Sequence, residues 1–201
     1  MFTEQTPYNV LRKAYLEAKE YAFRVVDNKP EIRRKTLKKK PFFYRTRTPY
    51  GKYDILCLFK PESKKDVTWH ALLVLKGKEG EAYSFPGKFE TGEKETTGFY
   101  PTIIHSHAIN RYIERSHFKG TRLDAVKHLA LSLESYMVPD YVGYDMYYYY
   151  EGGCFICEFI DNVLHYKTFI MNRQMYPNQR MLSLRAEKAA ESYGLNNDNK
   201  E

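Results

Sequence analysis

The sequence has few cysteines, no long apolar run and no apolar leader. Its three cysteines, an odd number, argue against a disulfide scaffold and favour a reducing compartment. No stretch approaches the roughly 18 apolar residues that a membrane-spanning helix needs. Residues 1–4 contain neither the basic stretch nor the apolar run of a secretory signal. We therefore expect a soluble cytoplasmic protein that does not associate with a membrane.

What the sequence does have is aromatic and apolar residues in the proportion of a folded protein. Hydrophobic residues make up 43% of the 201 residues and aromatic residues 16%, with 19 tyrosines and 12 phenylalanines. Such a composition argues against disorder. The chain is long enough to bury the core of one domain with an appended subdomain.

The first half of the chain reads as one helix followed by strands. Thr6 and Pro7 have the residue types of an N-cap and a first helical position, and apolar residues then recur at helical spacing to about Val26. Apolar runs bounded by turn residues predict strands at 42–46, 53–59, 67–75 and 82–85. Residues 86–98 form a polar loop without a phosphate-loop pattern. We expect residues 1–99 to be a helix plus an antiparallel meander.

The second half has a different pattern, typical of an α+β module. A short strand at 102–104 precedes a helix that Ser106 can cap and that runs to about Phe118. Thr121 and Asp124 make a capping-box signal for the next helix. Strands are predicted at 144–150, 155–160 and 163–170, and a last helix from about Asn178. We expect residues 100–194 to form helix, helix, a three-stranded antiparallel sheet and a C-terminal helix, with a frayed tail at 195–201.

Much of the net charge of +7 comes from one basic region. Clustered cations beside the aromatic residues at 42–44 could follow a phosphate backbone and stack on bases, which predicts a nucleic-acid site. The alternative is a solvated loop and an edge strand that lysines protect from aggregation. The predicted nucleic-acid contacts in this region are Arg33, Arg34, Lys38, Lys39, Lys40, Arg45 and Arg47, and Lys35 and Lys52 add to its charge.

The helix that opens at Ser106 is the best candidate for chemistry. At about 100° per residue, a polar stripe covers one side of it while apolar residues cover the other; the stripe consists of His107, Arg111, Glu114 and Arg115. A histidine in the first turn stands at the positive end of the helix dipole, which favours its neutral form. A neutral imidazole beside guanidiniums suits a phosphodiester substrate. The alternative is a surface helix with an Arg111–Glu114 ion pair and a partly buried histidine.

These residues carry a family resemblance. Ser106-His107-Ala108, Arg111, Glu114-Arg115 and a threonine on the last strand, Thr168, resemble the signature of a small intracellular domain family of uncharacterised function. That family is similar to the superfold of RelE-type toxins, barnase-like and colicin-type ribonucleases. The resemblance covers residues 103–170 and leaves the first hundred residues without a counterpart.

The resemblance implies metal-independent RNA cleavage or RNA binding without a cofactor. A ribose 2′-hydroxyl would attack the adjacent phosphate, with His107 as general base or acid and Arg111 and Arg115 stabilising the transition state. Thr168 would complete the site; its neighbour Lys167 should point to the opposite face of the strand. Tyr148 could stack a base, although tyrosines on a half-buried sheet more often pack in its core or rim.

Two further patterns are weaker. His105 and His107 could offer two metal ligands, but zinc needs three or four, so no metal site is predicted. Cys154 and Cys157 lie in a predicted strand with their thiols on opposite faces and read as core residues. The leading hypothesis is therefore an RNA-directed, ribonuclease-like protein. The alternatives are a non-catalytic module of mobile-element or phage type that binds nucleic acid or an acidic protein, and a metal hydrolase.

Overall fold

The structure is a computed structural model that describes residues 2–27, 29–38, 40–61, 67–85, 102–133, 140–142, 145–150, 152–161 and 163–192. The chain divides into two compact units, Met1–Pro86 and Gly87–Glu201. Both units combine helices with a sheet, which confirms the α+β class. The boundary falls at the start of the predicted polar loop rather than at residue 99. Among the described helices, none is long and apolar enough to cross a membrane.

The first unit has two helices and four strands. The helices are α1 (Tyr8–Asp27) and α2 (Pro30–Thr36), and the strands are β1 (Phe42–Arg47), β2 (Asp54–Pro61), β3 (Val67–Gly77) and β4 (Gly80–Phe85). The strands pair antiparallel in chain order, which confirms the meander. The apolar stripe of α1 is buried at Leu11, Ala14 and Ala18. Leu56, Leu58 and Leu72 are buried in the sheet.

The helix α2 was not predicted. The sequence pattern predicted one helix, ending at about Val26, before the first strand. In the structure Pro30 instead begins α2, after Lys29 in an extended conformation. Proline suits a first helical position because the amide hydrogen that it lacks would have no partner within the helix. Ile32 is buried and anchors this short helix.

The second unit has three helices and five strands. The helices are α3 (Ser106–Ser116), α4 (Arg122–Leu133) and α5 (Pro177–Ser192), and the strands are β5 (Thr102–Ile104), β6 (Asp140–Val142), β7 (Asp145–Tyr150), β8 (Gly153–Ile160) and β9 (Val163–Met171). The strand order is β5-β9-β8-β7-β6. The predicted three antiparallel strands correspond to β7, β8 and β9. The observed sheet is wider than predicted and mixed, because β5 adds to β9 in parallel and β6 adds to β7.

The helix α3 packs on one face of β8 and β9 through aromatic side chains. The ring of Tyr112 meets that of Phe169 edge-on, with centroids 5.2 Å apart, and that of Phe155 at 6.2 Å. All three side chains are buried. Edge-to-face contacts of this kind stabilise a core beyond the area that they bury. This face of the sheet is therefore the one that positions α3.

The starts of α3 and α4 were predicted with different success. Ser106 was expected to cap α3, but His105 holds the N-cap position, and its carbonyl accepts a hydrogen bond from the Ile109 amide at 3.1 Å. Ser106 is the first helical residue and is buried. The capping box of α4 is confirmed, because the Asp124 amide donates to the Thr121 hydroxyl at 3.2 Å and the Thr121 amide to the Asp124 carboxylate at 3.1 Å.

Candidate functional site

The polar stripe of α3 exists, and half of it is an ion pair. His107 is exposed in the first turn of the helix. One turn further on, a guanidinium nitrogen of Arg111 lies 2.7 Å from a carboxylate oxygen of Glu114. The two side chains are 38% and 63% exposed, so water screens the pair and its contribution to stability is small. This is the pair that the surface-helix alternative predicts.

Arg115 makes a main-chain contact instead of facing solvent. Its Nη1 donates a hydrogen bond to the carbonyl oxygen of Phe169 on β9, and the contact is partly buried. This bond ties the C-terminal turn of α3 to the last strand of the sheet. It gives Arg115 a structural role that does not depend on any ligand.

The strand register puts Thr168 on the face of the sheet away from α3. Phe155 lies opposite Phe169 on the helix-bearing face, and Ile156 lies opposite Thr168. Neighbouring residues of a strand point to opposite faces, so Thr168 points away from α3. The structure thus does not bring Thr168 together with His107 and Arg111.

A β-bulge lies at Lys167, next to Thr168 in β9. Tyr166 pairs with Cys157 and Thr168 with the adjacent Ile156, which leaves Lys167 as an extra residue in β9. A bulge shifts the alternation of side chains by one residue. The ammonium of Lys167 lies 3.4 Å from the carboxylate of Glu158 on β8.

The structure joins two histidines that the sequence analysis did not pair. Nε2 of His105 and Nδ1 of His165 lie 2.9 Å apart, within hydrogen-bonding distance. His165 is only 7% exposed. Parallel pairing of β5 with β9 brings them together, since Ile103 lies opposite His165. Among the described residues, no group of three or more His, Cys, Asp or Glu side chains could hold a metal ion.

A second histidine contact closes the other end of α3. His117 follows the helix in the left-handed conformation, with φ of 53°, and its Nε2 lies 3.0 Å from a guanidinium nitrogen of Arg173. Guanidinium has no acceptor, so His117 accepts this hydrogen bond through an unprotonated nitrogen. The sequence offered no signal for this pair because 56 residues separate its members.

The cysteines are core residues, as predicted. Cys154 lies opposite Ile170 and Cys157 opposite Tyr166, so their side chains point to opposite faces of β8. Both are buried. Burial raises the pKa of the Cys157 thiol well above its ordinary value, and it raises the pKa of Cys57 in the first unit to about 12. Thiols of this kind are poor nucleophiles and poor metal ligands.

The basic region of the first unit lies on α2, the turn after it, and β1. We call residues 32–53 the basic segment. It contains nine of the 32 Lys and Arg residues and none of the 25 Asp and Glu residues. The remainder of the chain therefore has 23 basic and 25 acidic residues, a net charge of −2. All the excess positive charge of the protein resides in this segment.

The described cations of the basic segment fall into two groups, apart from Lys52, whose ammonium lies 2.7 Å from the carboxylate of Glu17 on α1. Arg34, Lys35, Lys38 and Lys40 are exposed on α2 and the turn that follows it. Lys39 and the side chain of Arg33 lie outside the described residues. The side chain of Tyr148, on β7 of the second unit, also lies outside them.

The second group belongs to an ion-pair network on β1. Arg45 lies 2.9 Å from Asp54 and 2.8 Å from Glu81, and Arg47 lies 3.4 Å from Asp54. Burial raises the pKa of the Asp54 carboxyl, but hydrogen bonds and charge from Arg45 and Arg47 outweigh it, so the pKa lies below its ordinary value. Two cations and two anions nearly cancel, which makes these arginines less available to phosphate than those of α2.

Comparisons with known proteins found no relative. No family model, no curated protein and no solved structure matches this chain.

Proposed function

We propose that this protein binds RNA through the basic segment. The observation that carries the proposal is the charge distribution, in which nine cations and no anions occupy residues 32–53 of a chain that is otherwise slightly acidic. RNA is a polyanion, and neutralising its phosphates releases counterions, which drives sequence-independent binding. The family resemblance of residues 103–170 to RelE- and barnase-like proteins supports RNA as the partner.

The exposed cations of α2 and its following turn are the expected phosphate contacts. Arg34, Lys38 and Lys40 are exposed and lie within seven residues of one another. Arg45 and Arg47 are held by Asp54 and Glu81, so their main role is to stabilise the sheet. This division revises the predicted binding set, since it favours the helix and turn over the strand.

Salt dependence tests the proposal. We expect a fluorescently labelled RNA to bind with an affinity that falls steeply with salt concentration. A plot of log affinity against log salt concentration should have a slope of about −0.7 for each phosphate contacted on a single strand. The triple variant Arg34→Gln, Lys38→Gln, Lys40→Gln should bind weakly, and the magnitude of its slope should be smaller by about two.

The control changes charge elsewhere in the same unit. Lys76 and Lys78 are exposed in the β3–β4 hairpin. The control is the double variant Lys76→Gln, Lys78→Gln. It removes the same charge as the double variant Lys38→Gln, Lys40→Gln, with which it is compared. The proposal is wrong if the two double variants bind RNA equally, or if an acidic protein such as a polyglutamate chain competes as well as RNA of equal charge.

RNA cleavage by α3 is the second candidate function. The observation that favours it is an exposed imidazole, His107, in the first turn of a helix that carries Arg111 one turn later. Arg115 and Thr168 contribute less than the resemblance implies, because one binds a main-chain carbonyl and the other points to the far face.

An end-labelled RNA incubated in EDTA separates the candidates. Cleavage that leaves cyclic-phosphate ends and is abolished by His107→Ala supports a metal-independent nuclease. Cleavage that EDTA prevents supports a metal hydrolase instead. Binding without cleavage leaves the proposal of an RNA-binding protein intact and removes the nuclease.

A further inference from the structure

We propose that β1 is a stacking platform for single-stranded RNA, with Phe42 and Tyr44 as the side chains that contact bases. This inference rests on the proposed RNA binding and names the form of RNA and the residues that distinguish it. The basic segment supplies the charge, and the two rings supply a preference for unpaired bases.

The register of β1 puts the two rings on one face. Phe42 lies opposite Phe59 and Tyr44 opposite Cys57, and the residue between them, Phe43, lies opposite Leu58. Alternate residues of a strand share a face and stand about 6.6 Å apart along it. Of the three consecutive aromatic residues, only the outer two can therefore act together.

One face of the Phe42 ring packs against a neighbouring aromatic ring. Its ring stacks on that of Phe59, with centroids 4.8 Å apart and an angle of 12° between the planes. The ammonium of Lys35 lies over the ring, 5.8 Å from its centroid. Because Phe59 covers one face, we assign the cation to the other. Lys35 is exposed and Phe42 is half-buried, so part of the ring surface remains accessible beside this ammonium.

Tyr44 is oriented through its hydroxyl. The ammonium of Lys29 donates a hydrogen bond to that oxygen, which fixes the ring at the hydroxyl end. Both rings are half-buried, so they are anchored in the unit while part of each surface remains accessible. Anchored rings lose little conformational freedom when a base stacks on them.

The arrangement favours single strands over duplexes. Aromatic side chains bind unpaired bases by stacking on their exposed faces, whereas the bases of a duplex are already stacked on each other. When RNA binds, a phosphate can take the Lys35 ammonium away from the Phe42 ring, and a base can occupy the face that it leaves. The exchange replaces a weak cation–π contact with a stronger stacking contact.

The experiment compares ring removal with ring retention. Wild-type protein is titrated with a labelled 12-nucleotide oligouridylate and with a 12-base-pair RNA duplex. We expect the single strand to bind at least about fivefold more tightly. Tyr44→Leu and Phe42→Leu should each weaken single-strand binding at least about fivefold and leave duplex binding and the salt slope unchanged. Tyr44→Phe keeps the ring but removes the hydroxyl that Lys29 holds, so it should weaken single-strand binding clearly less than Tyr44→Leu does.

Phe43→Leu is the matched control, because it removes a neighbouring ring from the opposite face of β1. Near-UV circular dichroism and thermal melting establish that each variant is folded. If Phe42→Leu unfolds, the difference in single-strand affinity between Tyr44→Leu and Tyr44→Phe tests the platform. Equal binding of duplex and single strand, or equal effects of Phe43→Leu and Tyr44→Leu, overturns the platform while RNA binding itself stands. Failure of both RNAs to bind at low salt overturns the proposed function as well.

Discussion

Nε2 of His105 lies 2.9 Å from Nδ1 of His165, so a single hydrogen-bonding contact joins the N-cap of α3 to the strand β9. The contact is partly buried. A buried polar atom that loses its partner pays the cost of desolvation without compensation. The pair therefore helps to hold α3 against the sheet.

We expect His165→Leu to lower the free energy of unfolding by about 1–3 kcal/mol, because it leaves His105 without this partner. Urea denaturation of the full chain measures the change. The control is His107→Leu, two residues into the same helix, where the side chain is exposed and the change should stay within about 0.5 kcal/mol. Equal losses in the two variants would mean that the histidine contact contributes nothing.

Arg115 and Arg111 occupy successive turns of α3 and should behave differently. Arg115→Gln removes a charged donor from the partly buried carbonyl of Phe169, and we expect a loss of about 1–2 kcal/mol. Arg111→Gln removes an exposed pair with Glu114, and we expect a loss of at most about 0.5 kcal/mol. Thermal and urea unfolding check both. A nuclease in which Arg115 served catalysis alone would lose cleavage on Arg115→Gln with no change in stability.

The stability that Asp54 contributes should depend on pH. Its pKa is depressed in the folded protein, so its contribution is fully present above the ordinary value of about 3.9 and is lost as the pH falls through the folded value. Asp54→Asn should therefore lower the free energy of unfolding at pH 7 by about 1–3 kcal/mol and have a smaller effect at pH 2. Guanidinium denaturation at the two pH values measures this.

Asp161→Asn is the control for that experiment, because Asp161 is exposed and asparagine tolerates its positive φ of 51°. Its effect should be small at both pH values. A loss from Asp54→Asn that is the same at pH 2 as at pH 7 would show that packing, not charge, explains the effect.

Gly153 is required by a close approach of two strands. A Cβ atom there would lie 2.5 Å from Cζ of Phe169 and 2.6 Å from the carbonyl oxygen of Ile170, and the latter is main chain that cannot move cheaply. We expect Gly153→Ala to cost about 2 kcal/mol or more. Gly77→Ala, where the nearest atom is 3.7 Å away, should change stability by less than about 0.5 kcal/mol. A small loss at both positions would contradict the packing of β8 on β9.

Local signals account for what could be predicted of the fold. The meander of β1 to β4 followed from apolar runs between turns, and the cap of α4 followed from Thr121 and Asp124. The helix α2 was missed because seven residues rich in Lys and Arg have no clear apolar stripe. Ile32 is buried in a helix that packs against β2.

The candidate site was predictable as far as one helix reaches. Helical spacing placed His107, Arg111 and Glu114 on one side, and the Arg111–Glu114 pair forms as that spacing allows. The position of Thr168 relative to α3 was not predictable from spacing, since it depends on which face of β9 the helix packs against, and the contact of Tyr112 with Phe169 decides that face.

The order of residues by itself determined the charge map and the helix stripes, because charge and short-range periodicity depend only on neighbours in the chain. Tertiary structure decided which cations are neutralised and which histidines meet. Arg45 contacts Glu81, 36 positions away in the chain, and His105 contacts His165, 60 positions away. Such contacts arise only when strands pair, and strand pairing depends on the packing of the whole sheet rather than on any one segment.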